Sequence, residues 1–279
     1  MPTSPLGANN ARIRDAAKLR QKKFRGQTGC ILIEGARLVA DALAAGAAVN
    51  ELFCTSAFRR SDHGKVLCVC SQCPSTLISP QAAAKLSETR TPQGVFAVVE
   101  FTTASFDAAF SAPATGPSVR TDGHFAAPLV LLADSIADPG NLGTMIRSAA
   151  ALGANGVVAS GDSCDALNPK CVRATMGAIF RLPVAADVAL PAAIDTLKAG
   201  GIRIIAAVAR RGKAPWELDL RGATALLIGS EAAGLPSAAV KLADARVTVP
   251  MPGGTESLNA AATAAALLYE AARQRAGVT

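Results

Sequence analysis

Short apolar runs and helically spaced apolar residues alternate along the first hundred residues. The runs predict strands at CILIE (30–34), ELFCT (51–55), KVLCVC (65–70) and GVFAVVEF (94–101). Helices are predicted at ARLVADALAAG (36–46), which ends in a glycine, and at residues 80–86. This alternation predicts a small α/β domain over residues 1–101.

The same alternation returns after residue 128, with longer apolar runs. Strands are predicted at LVLLAD, GVVAS, IRIIAAVA, ALLIGSE and RVTVPM. Helices are predicted at residues 141–152, near 169–177, at 191–200, in a short segment from Pro236 and at 257–274. Continuous apolar strands between helices are typical of a mostly parallel sheet covered on both faces, so residues 128–279 are predicted to form a second domain.

Residues 102–127 differ from both halves in composition. They are rich in Ala, Ser, Thr, Pro and Gly and show little periodicity. This composition is typical of a linker between domains, and we assign the segment to one.

The loops that follow strands are where a site is expected, because ligands of parallel sheets bind beyond the carboxyl ends of the strands. In the first such loop, DSIADPGNLGTMIRSAAALGA (134–154), Asn141 stands at a helix-cap position. Arg147 lies among apolar or very small residues, where a guanidinium needs an anionic partner or an opening to solvent. A helix cap and a plain surface arginine are the alternative interpretations of these two residues.

The second loop is LLIGSEAAGLP (226–236). Gly229 and Gly234 permit a close approach of the backbone to a ligand, and Glu231 is a single carboxylate between them. By itself this pattern is a common strand-to-helix turn.

The third loop lies within VTVPMPGGTESLNAAATAAALL (247–268). An irregular Pro- and Gly-containing stretch precedes Ser257 and Asn259, which open an Ala-rich helix. Ser257 is a candidate N-cap of this helix. The run of alanines permits close packing of neighbouring backbones.

Positive charge is concentrated at the start of the chain. The 279 residues have a formal net charge of +7, and residues 1–30 contain seven basic residues against Asp15 alone, a local charge of +6. The spacing of Ile13, Ala17, Arg20 and Phe24 predicts one basic helix with a thin apolar seam. Such a stripe attracts phosphate backbones, and a solvated face that binds nothing is the alternative. The basic residues are Arg12, Arg14, Lys18, Arg20, Lys22, Lys23 and Arg25.

The cysteines and apolar runs indicate a cytoplasmic protein without a membrane segment. Seven cysteines form an odd set without spaced pairs, which is typical of reduced thiols. CVCSQC (68–73) is the only cluster, and because a second Cys/His pair at suitable spacing is missing, we predict small apolar residues on a buried strand and no metal. The longest apolar runs, 128–133 and 260–269, are shorter than the roughly 20 residues that cross a bilayer.

The three loops, in their order and spacing, resemble the SpoU-type (TrmH-like) RNA ribose 2′-O-methyltransferases of the SPOUT class. DPGNLGTMIRSAAALGA is similar to the first motif of that family, IGSEAAGL to the second and VPMPGGTESLNAAATAAALL to the third. Residues 168–184 and 91–99 also match, so the resemblance covers nearly the whole chain.

The resemblance implies a fold, a cofactor and partners. The C-terminal domain would contain a parallel sheet with a deep trefoil knot, and the smaller N-terminal α/β domain would be a ribosomal-protein-like module that binds structured RNA. S-adenosylmethionine would be held by Gly229, Val249 and Leu258, with Met251 nearby. A homodimer through the C-terminal domain is implied too. The separate N-terminal domain favours ribosomal RNA, 23S in particular, and tRNA is the alternative substrate.

The resemblance also implies which residues act in catalysis. Arg147 occupies the catalytic position, where it would contact the phosphate beside the target ribose or accept the proton. We prefer the phosphate contact with electrostatic activation, because arginine is extremely hard to deprotonate. The supporting polar residues carried over are Asn141, Glu231, Ser257 and Asn259. The two histidines, His63 and His124, lie in the small domain and the linker and are not attractive bases.

Two other functions stay open at this point. A non-catalytic RNA-binding or ribosome-assembly protein could keep the same fold. A nucleotide-dependent dehydrogenase would need a G-x-G-x-x-G turn after the first strand of a βαβ unit, and the sequence contains none.

Overall fold

Two units built from interleaved pieces of the chain make up the protein. The computed structural model describes residues 4–70, 75–111 and 127–277, with backbone alone at residues 66 and 68–70. Unit 1 consists of the chain up to Thr102 together with Leu167–Phe180, and unit 2 consists of Thr103–Ala166 and Arg181–Thr279. In the described ranges no helix has the length and apolar character needed to cross a membrane.

The helices and strands are numbered along the described residues. The helices are α1 (Ala11–Lys18), α2 (Lys22–Thr28), α3 (Ala36–Ala44), α4 (Ser56–Arg60), α5 (Asp62–Cys70), α6 (Pro80–Leu86), α7 (Phe106–Ser111), α8 (Pro139–Ala151), α9 (Pro169–Ala174), α10 (Leu190–Ala199), α11 (Ser237–Leu242) and α12 (Ala260–Arg275). The strands are β1 (Cys30–Glu34), β2 (Val49–Thr55), β3 (Ser75–Ile78), β4 (Val95–Glu100), β5 (Leu129–Ala133), β6 (Gly156–Ser160), β7 (Val184–Val188), β8 (Arg203–Ala207), β9 (Thr224–Ile228) and β10 (Ala245–Val247).

Unit 1 has a four-stranded sheet in the order β1-β4-β2-β3. β4 runs antiparallel to both β1 and β2, and β3 runs parallel to β2. Ile13 of α1 and Ala82 of α6 are fully buried against Phe53 and Phe96 of the sheet. Burial of these side chains, at about 25 cal/mol per Å² of apolar surface, fixes the two helices on this face.

A segment from the second half of the sequence belongs to unit 1. α9 packs on β1, and the rings of Phe101 and Phe180 meet edge to face with centroids 5.1 Å apart. Arg173 also pairs with Glu88 at 3.3 Å. Residues 167–180 therefore have their packing partners more than sixty residues back along the chain.

Two predictions for unit 1 are wrong. KVLCVC lies in α5 and not in a strand; the Ser61 hydroxyl accepts a hydrogen bond from Gly64 N at 3.1 Å, and Asp62 adds a negative charge to the first turn. Such a helix start outweighs the apolar run that suggested a strand. Cys73 and the side chains of Cys68 and Cys70 lie outside the described residues. Among the described residues no group of three or more His, Cys, Asp or Glu could hold a metal ion.

The second correction concerns the basic segment, which forms two helices instead of one. Asn10 caps α1 by accepting from Arg12 N at 3.0 Å. The first helix ends at Lys18; Leu19 is buried and its carbonyl accepts from Arg25 Nη1, and Gln21 is extended before α2 begins. The seam expected from a single helix is therefore interrupted.

Unit 2 has a six-stranded sheet in the order β10-β8-β9-β5-β6-β7, in which every neighbouring pair is parallel. Alternate strand residues face a cluster with α7, α10 and α11, whereas α8 and α12 pack on each other and on β6 and β9. The prediction of a parallel sheet covered on both faces is confirmed.

Two elements of unit 2 have no counterpart in the sequence prediction. β7 is an edge strand in which Asp187, at φ +57°, interrupts the apolar run. α7 lies in the segment assigned to the linker; a Cβ on Gly156 of β6 would lie 2.1 Å from the Ala109 carbonyl, so this short helix packs directly on the sheet. Residues 112–126, including His124, lie outside the described part of the chain.

Candidate active site

The loop after β5 turns sharply into α8. Ser135 has a φ of +55°, and its N–H donates to Ser160 Oγ at 3.0 Å. Asp138, and not Asn141, caps the helix, since its Oδ1 accepts from Asn141 N at 3.0 Å and Pro139 takes the first helical position. The interpretation of Asn141 as a cap is wrong. Its side chain is left for other partners.

The loop after β9 is a tight turn closed by its own backbone. Gly234 N donates to the Ser230 carbonyl at 2.9 Å, and Gly234 has a φ of +66°. A Cβ on Gly229 would lie 2.4 Å from the carbonyl carbon of Gly234, closer than any side chain can approach. Only glycine fits at position 229 without moving backbone.

The loop after β10 leads into α12. Asn259 caps this helix, with its Oδ1 accepting from Ala261 N at 2.9 Å and Ala262 N at 3.3 Å. The prediction that Ser257 is the cap is wrong, because the helix begins at Ala260 and not at residue 257.

One chain of hydrogen bonds joins the three loops. The Asn141 amide donates from Nδ2 to Glu231 Oε1, and its Oδ1 accepts from Asn259 Nδ2 at 3.1 Å. Because Asn259 also caps α12, its side chain is held at both ends. Asn141 therefore connects the second and third loops, as an amide can because it both donates and accepts.

Arg147 lies on the exposed side of α8. Thr144 and Ala151, one turn before it and one turn after it, are exposed too, and both have short side chains. With the part of the chain that the structure describes, the guanidinium forms no hydrogen bond or ion pair. It is therefore available to an anion from outside.

A cavity of about 400 Å³ opens between the loops that follow β8, β9 and β10. Gly229, Val249, Met251 and Leu258, the four residues that the resemblance assigns to the cofactor, all line it. The remaining polar lining includes Glu231 and Ser257 and two residues that the sequence analysis missed, Arg210 and Glu256. Arg210 follows β8 directly, so the rule that sites lie after strands would have found it.

Burial and nearby carboxylates keep a thiol near the first loop protonated. Burial, the larger cause, and the negative charges of Asp138 and Asp165 together raise the pKa of Cys164 to about 11. A thiol with such a pKa is a poor nucleophile near neutral pH. Cys164 therefore has no part as an attacking group.

The basic residues of α1 and α2 differ in their surroundings. Arg12 pairs with Glu51 at 2.8 Å, Lys18 with Asp15 at 2.8 Å and Arg20 with Glu88 at 3.3 Å. Arg12, Lys18 and Arg20 are exposed, and so are Arg14, Lys22 and Lys23.

Arg25 is a correction to the predicted set of RNA-binding residues. It is only 6% exposed, and its Nη1 donates to the Leu19 carbonyl at 2.7 Å. Its guanidinium fastens the turn between α1 and α2 and does not lie on the surface.

Comparison with known proteins gives the family. The family model of the SpoU rRNA methylases matches residues 128–269. A 23S rRNA (guanosine(2553)-2′-O)-methyltransferase, RlmP of Bacillus subtilis, is 34% identical over 94% of this chain and 96% of its own length. The chain belongs to the SpoU rRNA methylase family. A second family model, the MRM3-like substrate binding domain, matches residues 10–97.

Other SpoU proteins are similar over the same length. A 23S rRNA (uridine(2479)-2′-O)-methyltransferase of Streptomyces viridochromogenes is 34% identical over 97% of this chain and 92% of its own length. The crystal structure of the SpoU methyltransferase AviRb from Streptomyces viridochromogenes, in complex with AdoMet, has a TM-score of 0.82 at 31% identity and covers 96% of this chain and 98% of its own. The likeness to SpoU proteins therefore extends over both units.

Proposed function

We propose that the protein transfers a methyl group from S-adenosylmethionine to a ribose 2′-hydroxyl of ribosomal RNA, in 23S rRNA in particular. The observation that carries the proposal is the cavity beyond β8, β9 and β10, to which Asn141 ties the helix of Arg147 through Glu231. The rRNA 2′-O-methyltransferases of B. subtilis and S. viridochromogenes, similar over nearly their whole length, support it.

The lining of the cavity fits S-adenosylmethionine. Gly229 lets the loop after β9 close tightly on Gly234, where any side chain would collide. The closed loop lines the cavity, so its peptide groups can contact the adenosine. Val249, Met251 and Leu258 supply apolar surface, and Glu231 and Glu256 supply negative charge that suits a sulfonium cation. When bound, S-adenosylmethionine supplies a methyl group already activated for nucleophilic displacement.

The residues of the chain position the ribose and stabilise charge on its oxygen. Arg147 stands about 9 Å along α8 from Asn141, given the 1.5 Å rise per residue, and presents its positive charge on the surface. We assign it to the phosphate beside the target ribose, where its positive charge also favours loss of the hydroxyl proton. Asn141, Glu231 and Asn259 hold the loops in register, and Ser257 faces the cavity for a further hydrogen bond.

RNA recognition is assigned to unit 1, with residues 1–101 as its main part, and catalysis to residues 128–279 without Leu167–Phe180, which belong to unit 1. Of the linker assigned to 102–127, the part that forms α7 belongs to unit 2. The exposed members of the basic set, Arg12, Arg14, Lys18, Arg20, Lys22 and Lys23, would contact phosphates. The match of residues 10–97 to a substrate binding domain supports this assignment. A dedicated binding unit favours rRNA over tRNA as the substrate.

Assembly and topology complete the proposal. An exposed stripe of Ala262, Ala266 and Tyr269 on α12, with Tyr269 62% exposed, supports a homodimer through the C-terminal domain. A Cβ on Gly212 would lie 2.6 Å from the carbonyl carbon of Val247, and Gly229 approaches the backbone of Gly234 in a similar way. These close approaches support the dense chain packing of a trefoil knot. Cys30, Cys54, Cys164 and Cys171 form no disulfide within the described residues, which supports a reducing cytoplasm.

The test is methyl transfer from labelled S-adenosylmethionine to ribosomal RNA and to tRNA, followed by mapping of the modified riboses. Arg147→Ala is expected to abolish transfer and to leave the melting temperature and donor affinity unchanged, because the side chain is exposed and bonds to no described residue. Arg221→Ala, an exposed arginine before the amino end of β9, is the matched control and should keep full activity. Wild-type protein that binds rRNA without labelling it would be a binding protein, contrary to the proposal.

A further inference from the structure

A second cavity lies in unit 2 and shares none of its described lining residues with the first. It has a volume of about 500 Å³, within the range of small-molecule sites. Its walls are the carboxyl ends of β5, β6 and β7 and parts of α10 and α11. Nothing in the proposed methyl transfer uses it.

One residue that lines this cavity has a carboxylate oxygen without a hydrogen-bond partner among the described residues. Asp134, directly after β5, is only 3% exposed, and its Oδ2 is buried with no hydrogen-bond partner in the part of the chain that the structure describes. An ionised carboxylate removed from water without a partner costs several kcal/mol. Entry of a cation beside Asp134 would remove this cost.

The rest of the lining indicates what kind of cation fits. Asp162 and Asp187 add negative charge, and no Lys, Arg or His is among the described residues that line the cavity. Val188, Ile194 and Leu242 make the opposite walls apolar. A ligand that matches both parts has a positively charged end and a hydrocarbon body.

A metal ion does not match this lining. In the described ranges no three His, Cys, Asp or Glu side chains converge closely enough to hold one. Ser135 and Ser160, which also line the cavity, can accept hydrogen bonds from an ammonium group beside Asp134. We infer that the cavity binds a protonated linear alkylamine, with its ammonium group at Asp134 and its chain against Val188 and Ile194.

The test is calorimetric titration of the full chain with spermidine and with Nα-acetyl-lysine amide at physiological ionic strength, which screens diffuse attraction. One saturable site per chain is expected, although the protein carries a net charge of +7 that disfavours unspecific uptake of cations. Tighter binding of spermidine would identify a free polyamine as the ligand, and tighter binding of the lysine amide would identify a lysine side chain. Absence of saturable binding for both compounds would overturn the inference.

Variants test whether the ligand binds in this cavity or at other carboxylates of the surface. Asp134→Asn should weaken binding by about tenfold or more, the effect of losing a charged hydrogen-bond partner. Asp162→Asn, at an exposed position of the same lining, should weaken binding several-fold and decides the matter if Asp134→Asn does not fold. Asp195→Asn, exposed on α10 but outside the lining, is the control and should bind as the wild type does. Equal affinity of all three variants would refute the assignment.

Discussion

At the scale of single residues, Asn141 is the side chain on which the arrangement of the three loops depends. Asp138 already caps α8, so the Asn141 amide bonds outward, donating to Glu231 and accepting from Asn259. An amide serves both neighbours because its NH2 group donates and its oxygen accepts, whereas a carboxylate cannot donate and an ammonium cannot accept.

Exchange of the donor and the acceptor in the Asn141–Glu231 hydrogen bond tests this role. Asn141→Asp places two carboxylates face to face, and we expect kcat/KM for methyl transfer to fall by about tenfold or more, or about 1.4 kcal/mol in the barrier. The double variant Asn141→Asp/Glu231→Gln restores one donor and one acceptor and should regain most of the loss. If the double variant is no more active than the single one, the hydrogen bond is not what matters at this position.

Cys164 gives a prediction about pH at the same scale. Because burial and nearby carboxylates raise its pKa to about 11, almost all of it is thiol at pH 8, and the thiolate becomes abundant only as the pH approaches 11. Iodoacetamide should therefore leave Cys164 unmodified at pH 8, as read by peptide mass spectrometry of the native protein. Denatured protein, in which the thiol returns to its ordinary pKa, is the control and should be alkylated at once. Rapid labelling of the native protein at pH 8 would contradict the raised pKa.

At the scale of elements, the site depends on turns that fit only particular residues. The loop after β9 folds back so closely that Gly229 faces the backbone of Gly234. By contrast, Gly253 in the loop after β10 has open space where a Cβ would lie. Position 229 therefore requires glycine, whereas position 253 has room for a side chain.

Alanine at each of these glycines makes a matched pair. Gly229→Ala should destabilise the protein by about 1–3 kcal/mol, the usual effect of overpacking, and should weaken binding of S-adenosylmethionine because the rim of the cavity must move. Gly253→Ala should leave both properties close to wild type. Thermal melting and calorimetry measure the two effects, and equal behaviour of the variants would show that the close approach at Gly229 does not constrain the rim.

Part of this structure can be predicted from the sequence and part cannot. Continuous apolar runs predict the parallel sheet of unit 2, since no water-facing strand has that pattern. β7 escapes prediction because Asp187 interrupts its run, and α5 differs from the predicted strand because its helix-start signals outweigh its apolarity. The bonds of Asn141 join residues 90 and 118 positions away, and no local pattern shows such pairs.

At the scale of the whole molecule, charge is divided between the units according to their proposed tasks. Unit 1 presents exposed basic residues on α1 and α2, among which Arg14 and Lys23 have no ion pair with any described residue. Arg12 forms an ion pair with Glu51 and Arg20 with Glu88, which restricts the conformations of the two arginine side chains. A fixed set of cations suits RNA with a defined shape.

Neutralisation of three exposed cations tests RNA binding by unit 1. Changing Arg14, Lys22 and Lys23 to Gln should weaken rRNA binding and reduce the slope of log affinity against log salt by about 0.7–0.9 for each phosphate that the variant no longer neutralises. The control removes equal charge at Arg59, Arg60 and Lys65, which are exposed on α4 and α5. A slope that stays unchanged in the first variant would show that these residues face solvent only.

The interleaving of the two units limits how unit 1 can be transplanted onto the catalytic domain of another protein. A graft cut once at Thr102 would leave Leu167–Phe180 behind in the donor, with Arg173 deprived of Glu88 and Phe180 deprived of Phe101. The donor would expose the apolar side chains of that segment, and the recipient would carry a β1 with one face uncovered. Chimeras must therefore exchange both segments together, so the short insert has to be transferred with the first hundred residues.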